Sequence, residues 1–189
     1  MSKSTQSRPL VVINVAGLTW DMLGENTPNI NSLMVTGFGQ PMQTVLPAVT
    51  CSVQASLLTG TLPAEHGIVG NGWYDRDLAE VQFWKQSNAL IQGEKVFETA
   101  RHRDSKHTTA KMFWWYNMYA DVDWSVTPRP SYPADGRKLP DIYSHPADLR
   151  DHLQERLGAF PLFNFWGPTA DIKSSAWIAD ASLEILRDK

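Results

Sequence analysis

The run Leu10-Val-Val-Ile-Asn-Val15 is short, rich in β-branched residues and almost wholly apolar, and Gly17 follows it closely. Such a segment has almost no polar face to turn toward water, so it is predicted to be a strand buried on both faces of a parallel sheet. A sheet covered on both sides needs helices on both sides. The expected class is therefore α/β.

The following residues alternate accordingly. Thr27-Pro-Asn-Ile-Asn-Ser-Leu-Met34 carries helix signals in order: Thr27 to cap, Pro28 in the first turn, and an apolar face of Ile30, Leu33 and Met34. Gly37 is expected to end this helix in the left-handed conformation. Gln43 to Leu46 is predicted as a second strand stopped by Pro47, and a helix opening at Thr50 or Cys51 runs to Leu58 before Gly60. Farther on, a helix is expected over 94–101, with Val96, Phe97 and Ala100 on one face, and a strand over 109–114. Leu149, Leu153 and Leu157 mark an amphipathic helix over 147–157, and Ile178, Ala181 and Ile185 mark another over 175–186. Pro128, Pro130, Pro133, Pro140 and Pro146 disfavour regular structure between 125 and 146, where a long loop or insertion is expected.

With 189 residues and 42% hydrophobic composition, the chain can bury one substantial core. Its last helix runs into Arg187-Asp188-Lys189 with no stop signal and no strand to lead into. We read residues 1–189 as the N-terminal part of a single domain, with an aromatic and proline-rich insertion or long loop around 114–146. Trp114-Trp115-Tyr116, Trp124 and Trp166 read chiefly as aromatic core; the alternative is a stacking platform.

The 17 basic and 20 acidic residues are dispersed and give a formal charge of −3, which argues against a nucleic-acid polymer as partner. The sole cysteine, Cys51, excludes an internal disulfide and fits a reducing compartment. No apolar stretch resembles a secretory leader or reaches the length of a membrane span, so the expected location is cytoplasmic, with no membrane partner. Nothing in the sequence indicates an oligomeric state.

The chemistry centres on Leu46-Pro-Ala-Val-Thr50. A threonine at the end of a strand and the start of a helix lies where unpaired amides and the positive end of the dipole converge. An anion is drawn there. The Thr50 hydroxyl could attack a bound phosphate while the Cys51 amide donates to a non-bridging oxygen. Threonine needs a base or a metal to activate it, and an ordinary helix cap is the alternative role. Cys51 is a rival nucleophile in principle, against the reading of a small half-buried thiol.

Taken together, Val11-Val-Ile-Asn-Val-Ala-Gly-Leu18, Thr27-Pro-Asn-Ile, Leu46-Pro-Ala-Val-Thr50, Leu58-Thr-Gly and Pro63-Ala-Glu-His-Gly-Ile-Val-Gly-Asn71 resemble the type I phosphodiesterase and nucleotide pyrophosphatase family of the alkaline phosphatase superfamily. The resemblance implies a three-layer α/β/α sandwich with a mostly parallel sheet, here truncated at the C-terminus, and a zinc-dependent hydrolase using two divalent ions. It implies that Thr50 is the catalytic nucleophile and also a metal ligand, that Asn71 binds substrate beside the Cys51 amide already placed there by the helix start, and that the substrate is a small phosphorylated molecule such as a nucleotide. His66 then belongs to the loop that shapes the site rather than to the metal.

The chain departs from the family in two places. Ala16 stands where the family has the Asp that ligates metal at the end of the first strand; Asn14 and Asp21 are the nearest polar residues. Thr50-Cys-Ser-Val-Gln54 replaces the family's Thr-Phe-Pro-Asn-His. The remaining family ligands would fall beyond Lys189. The implied alternatives are thus a hydrolase whose 189-residue portion is inactive by itself, a catalytically impaired phosphate-binding protein, or a related reaction on a phosphorylated, sulfated or phosphonate substrate.

Overall fold

The computed structural model describes residues 9–188. The reading of the chain start as leaderless rests mainly on residues outside that range. The chain divides into two units at Gln43 and Thr44.

In the first unit, α1 (Pro28–Thr36) forms with Pro28 in its first turn, as predicted. Two local details differ. The Thr27 hydroxyl bonds back to the Gly24 carbonyl at 3.1 Å instead of capping the helix, and the Asn31 side chain joins it there at 2.6 Å. Gly37 closes α1 at φ −120°, outside the left-handed region; glycine suits it because a Cβ would come within 3.1 Å of the Leu33 carbonyl. The expected strand Leu10–Val15 is a correction: the segment is irregular, and Leu10 and Ile13 are 85% and 76% exposed. Strand structure needs a neighbour's ladder, and none of the described strands pairs with this run. The same reason applies to 43–46, which is also irregular.

The second unit begins with α2 (Thr50–Thr59) and the short α3 (Pro63–His66). A hairpin of β1 (Gly72–Asp75) and β2 (Glu80–Phe83) follows, pairing Gly72 with Phe83 and Tyr74 with Val81. Next come α4 (Val96–Arg103) and a three-stranded sheet of β3 (Ala110–Met112), β4 (Trp124–Pro128) and β5 (Ile142–His145), in that order. α5 (Leu149–Leu157) and α6 (Ile172–Asp188) complete the chain. Of the face predicted for α4, Phe97 is buried but Val96 is exposed.

The α/β class holds. The sheet, expected to be mostly parallel, is small and mixed among the described residues: β3 and β4 run parallel, β4 and β5 antiparallel. Residues 125–146, expected as a loop, contain β5 and all of β4 but its first residue, Trp124. Proline is tolerated because Pro128 ends β4, while Pro130, Pro133, Pro140 and Pro146 fall outside the strands.

Two cores form. One gathers Cys51, Ala55 and Leu58 of α2 with Ile68, Ile91, Phe97, Trp115, Tyr116 and Val122. The other places Val126 and Ile142 against Leu149, Leu153, Phe160, Trp177, Ala181 and Ile185. Each large apolar side chain so buried contributes on the order of 1.5–3 kcal/mol. Trp115 and Tyr116 are core residues, as the chief reading had it; Trp166 is 43% exposed, meets Trp115 edgewise and lies tilted against Trp84.

Candidate active site at the start of helix α2

Helix α2 begins at Thr50 after Val49, whose extended backbone makes it the cap residue. Thr50 is therefore the first helical residue and not a side-chain cap. A helix start leaves four amides without an intrahelical partner. The Val49 amide bonds the Pro47 carbonyl at 2.9 Å, and the Cys51 amide bonds Asn71 Oδ1 at 3.0 Å. Those of Thr50 and Ser52 receive no acceptor from the helix itself. The half-buried Thr50 hydroxyl has no hydrogen-bonding partner among the described residues.

The sequence-predicted residues thus meet at one helix end, with a change of role for one of them. The Cys51 amide, expected to donate to substrate, donates to Asn71. Since Oδ1 accepts this bond, the Asn71 side-chain nitrogen is the end left to act as a donor. Asn71 is held from its other flank by its own carbonyl, which accepts from the Trp84 amide at 3.0 Å. Gly72 beside it is packed under the Phe83 ring, where a Cβ would lie 2.6 Å from Cδ2.

The Cys51 thiol is fully buried, and burial pushes its pKa up to about 12. The Tyr116 phenol lies close to it without a well-formed hydrogen bond, and burial raises that group too. A thiol so suppressed holds almost no thiolate at neutral pH, so Cys51 is no rival to Thr50.

His66 is wholly buried, and both ring nitrogens are engaged within the protein. Its Nδ1 accepts from the Ile68 amide at 3.1 Å. The proton therefore sits on Nε2, which donates to Ser56 Oγ at 2.9 Å. His66 ties the loop before Asn71 to the middle of α2, the structural role expected of it. Burial lowers its pKa.

Two contacts carry no sequence signal. Gln54 Oε1 accepts from the Trp115 amide at 2.7 Å, joining α2 to the aromatic segment across 61 residues. Lys111 is 4% exposed and donates through Nζ to the Tyr116 carbonyl at 2.7 Å. A polar side chain aimed at a distant backbone atom leaves no periodicity to read.

The model for "Type I phosphodiesterase / nucleotide pyrophosphatase" matches residues 10–188. The chain belongs to this family. It is also 31% identical over 117 residues to venom phosphodiesterase of Naja atra, a match covering 56% of this chain and 14% of that protein. Family membership brings the α/β/α architecture of the alkaline phosphatase type with it.

The family's metal pair does not fit the described residues. No group of three His, Cys, Asp or Glu side chains converges among them, and Ala16 offers no ligand atom. No described helix is long and apolar enough to cross a membrane.

Proposed function

We propose that the protein is a hydrolase of phosphodiester or pyrophosphate bonds in which Thr50 carries the phosphoryl group. The supporting observation is the bond from the Cys51 amide to Asn71 Oδ1, which gathers an unpaired hydroxyl, a free side-chain donor and a helix start. The phosphate docks against the Thr50 amide and the Asn71 side-chain nitrogen, with the positive helix end behind it. The Thr50 oxygen attacks phosphorus as its proton passes to solvent; a divalent ion bound at this hydroxyl would supply the pKa lowering that the attack needs. The ester or anhydride oxygen leaves with the bonding pair and takes up a proton. Water then hydrolyses the phosphothreonine to regenerate the hydroxyl.

In this reading Thr50 is also a metal ligand, and the cofactor is a pair of divalent ions, zinc by family resemblance. Their other ligands lie outside the described residues. The substrate is a small phosphorylated molecule such as a nucleotide, and the location is the cytoplasm, in keeping with a lone buried thiol.

Ala16 and the lack of a ligand cluster among the described residues favour a second reading, a phosphate-binding protein without turnover. A chromogenic phosphodiester assay with zinc, comparing the protein with Thr50→Ala, separates the two. Turnover lost in the variant supports the hydrolase; equal rates overturn it. Anion binding with no turnover in either form selects the second reading.

A further inference from the structure

Lys111 is buried in the middle of β3, and its ammonium does not reach a carboxylate directly. Nζ donates to the Tyr116 carbonyl at 2.7 Å and lies 5.6 Å from the centre of the Phe97 ring. The charged groups around it come from α4 and its cap: Lys95, which is itself buried, and Glu98, which pairs with Lys95 at 3.4 Å. A buried charge with so little compensation is costly to keep.

The carbonyl it holds belongs to an unusual segment. Phe113, Tyr116 and Tyr119 all have positive φ (57°, 52° and 62°), a region that bulky side chains avoid. Such a backbone persists only where its surroundings hold it. Here the bonds are from Lys111 and Asn88 to the Tyr116 carbonyl, and from Asn117 to the carbonyls of Lys111 and Val126.

The same segment braces the candidate site. The Trp115 amide bonds Gln54 of α2, and the Tyr116 ring packs by Cys51, the residue whose amide holds Asn71. We propose that Lys111 is a positioning residue: its ammonium pins the Trp115–Tyr116 shelf against α2 and so sets the anion site formed by Thr50 and Asn71. This rests on the reading of that helix end as an anion site. The charge can also be switched, since burial brings the Lys111 pKa down to about 7, with Lys95 adding to the effect and Glu98 opposing it.

The test uses sulfate, whose charge is constant between pH 6 and 9, measured by titration calorimetry at fixed ionic strength. Tryptophan emission is followed in parallel. Wild type is expected to bind sulfate roughly fivefold more weakly at pH 8.5 than at pH 6. Emission should shift with the same midpoint, near pH 7. Lys111→Met should bind weakly with a flat profile, and Lys111→Arg, which keeps its charge, should bind tightly with a flat profile.

Sulfate affinity in Lys111→Met that matches wild type at every pH overturns the proposal. So does a pH profile that persists in Lys111→Arg. If wild type binds no sulfate, the anion-site reading fails by itself. The shelf is then judged on emission: a transition near pH 7 that both variants abolish upholds it, and one that survives in either overturns it. If Lys111→Met does not fold, wild type and Lys111→Arg still give the comparison.

Discussion

The Cys51 amide donates to Asn71 Oδ1 at 3.0 Å, so a side chain 20 residues downstream caps the helix that begins at Thr50. One amide group thereby has two separable parts, an oxygen committed to the fold and a nitrogen that, under the proposed function, meets the ligand. Asn71→Asp keeps the acceptor and adds a charge favourable to the helix start, so its thermal stability should equal or exceed wild type by up to about 1 kcal/mol. It loses the donor and repels anions, so phosphodiester turnover should fall at least about tenfold. Asn71→Leu should lose both, with about 1 kcal/mol less stability in urea unfolding. Full turnover in Asn71→Asp would remove the side-chain nitrogen from the site.

Cys51 should be chemically silent. With the thiol buried and its pKa pushed up to about 12, labelling by an aromatic disulfide reagent should require unfolding. Cys51→Ala should retain turnover and lose about 1 kcal/mol through the small void it leaves. Rapid labelling of the native protein, or turnover abolished in a folded Cys51→Ala, would contradict this account.

His66 makes stability depend on pH in a definite direction. Its folded pKa lies below the ordinary 6.5, so the unfolded chain binds the extra proton first on acidification. The contribution is complete above pH 6.5 and declines as the pH falls toward the folded value. His66→Gln should flatten that part of the profile, read as Tm against pH from 5 to 8, while costing about 1–3 kcal/mol at neutral pH by breaking two buried bonds. A variant profile as steep as wild type would assign the dependence elsewhere.

Lys111 should act in the same direction as His66, but in the alkaline range. Its pKa falls from 10.5 unfolded to about 7 folded, so the unfolded chain holds more protons between these values and stability rises with pH there. In Lys111→Met the rise should vanish, leaving the variant's advantage over wild type greatest below pH 7. Parallel Tm profiles from pH 6 to 10 would show that the lysine is not titrating in the core.

The long helices were legible because their signals are local. Pro28 in a first turn and the Leu149 and Leu153 spacing act within one or two turns of the chain, and the structure keeps α1, α2, α5 and α6 close to their predicted spans. The strands were less so. Leu10–Val15 has the composition of a buried strand but no pairing partner among the described residues, whereas β4 and β5 arise inside a proline-rich stretch because they pair with each other.

The order of motifs from Val11 to Asn71 was enough to place the chain in its family and to single out Thr50, His66 and Asn71. Their arrangement was a matter for the tertiary structure. Only folding shows that Asn71 takes the Cys51 amide, that His66 is committed to Ser56 and Ile68, and that Lys111 spends a buried charge on the Tyr116 carbonyl. Helix propensity and capping act between neighbours in sequence. A hydrogen bond between buried groups depends on which of them the packed core brings within 3 Å, and no local pattern encodes that.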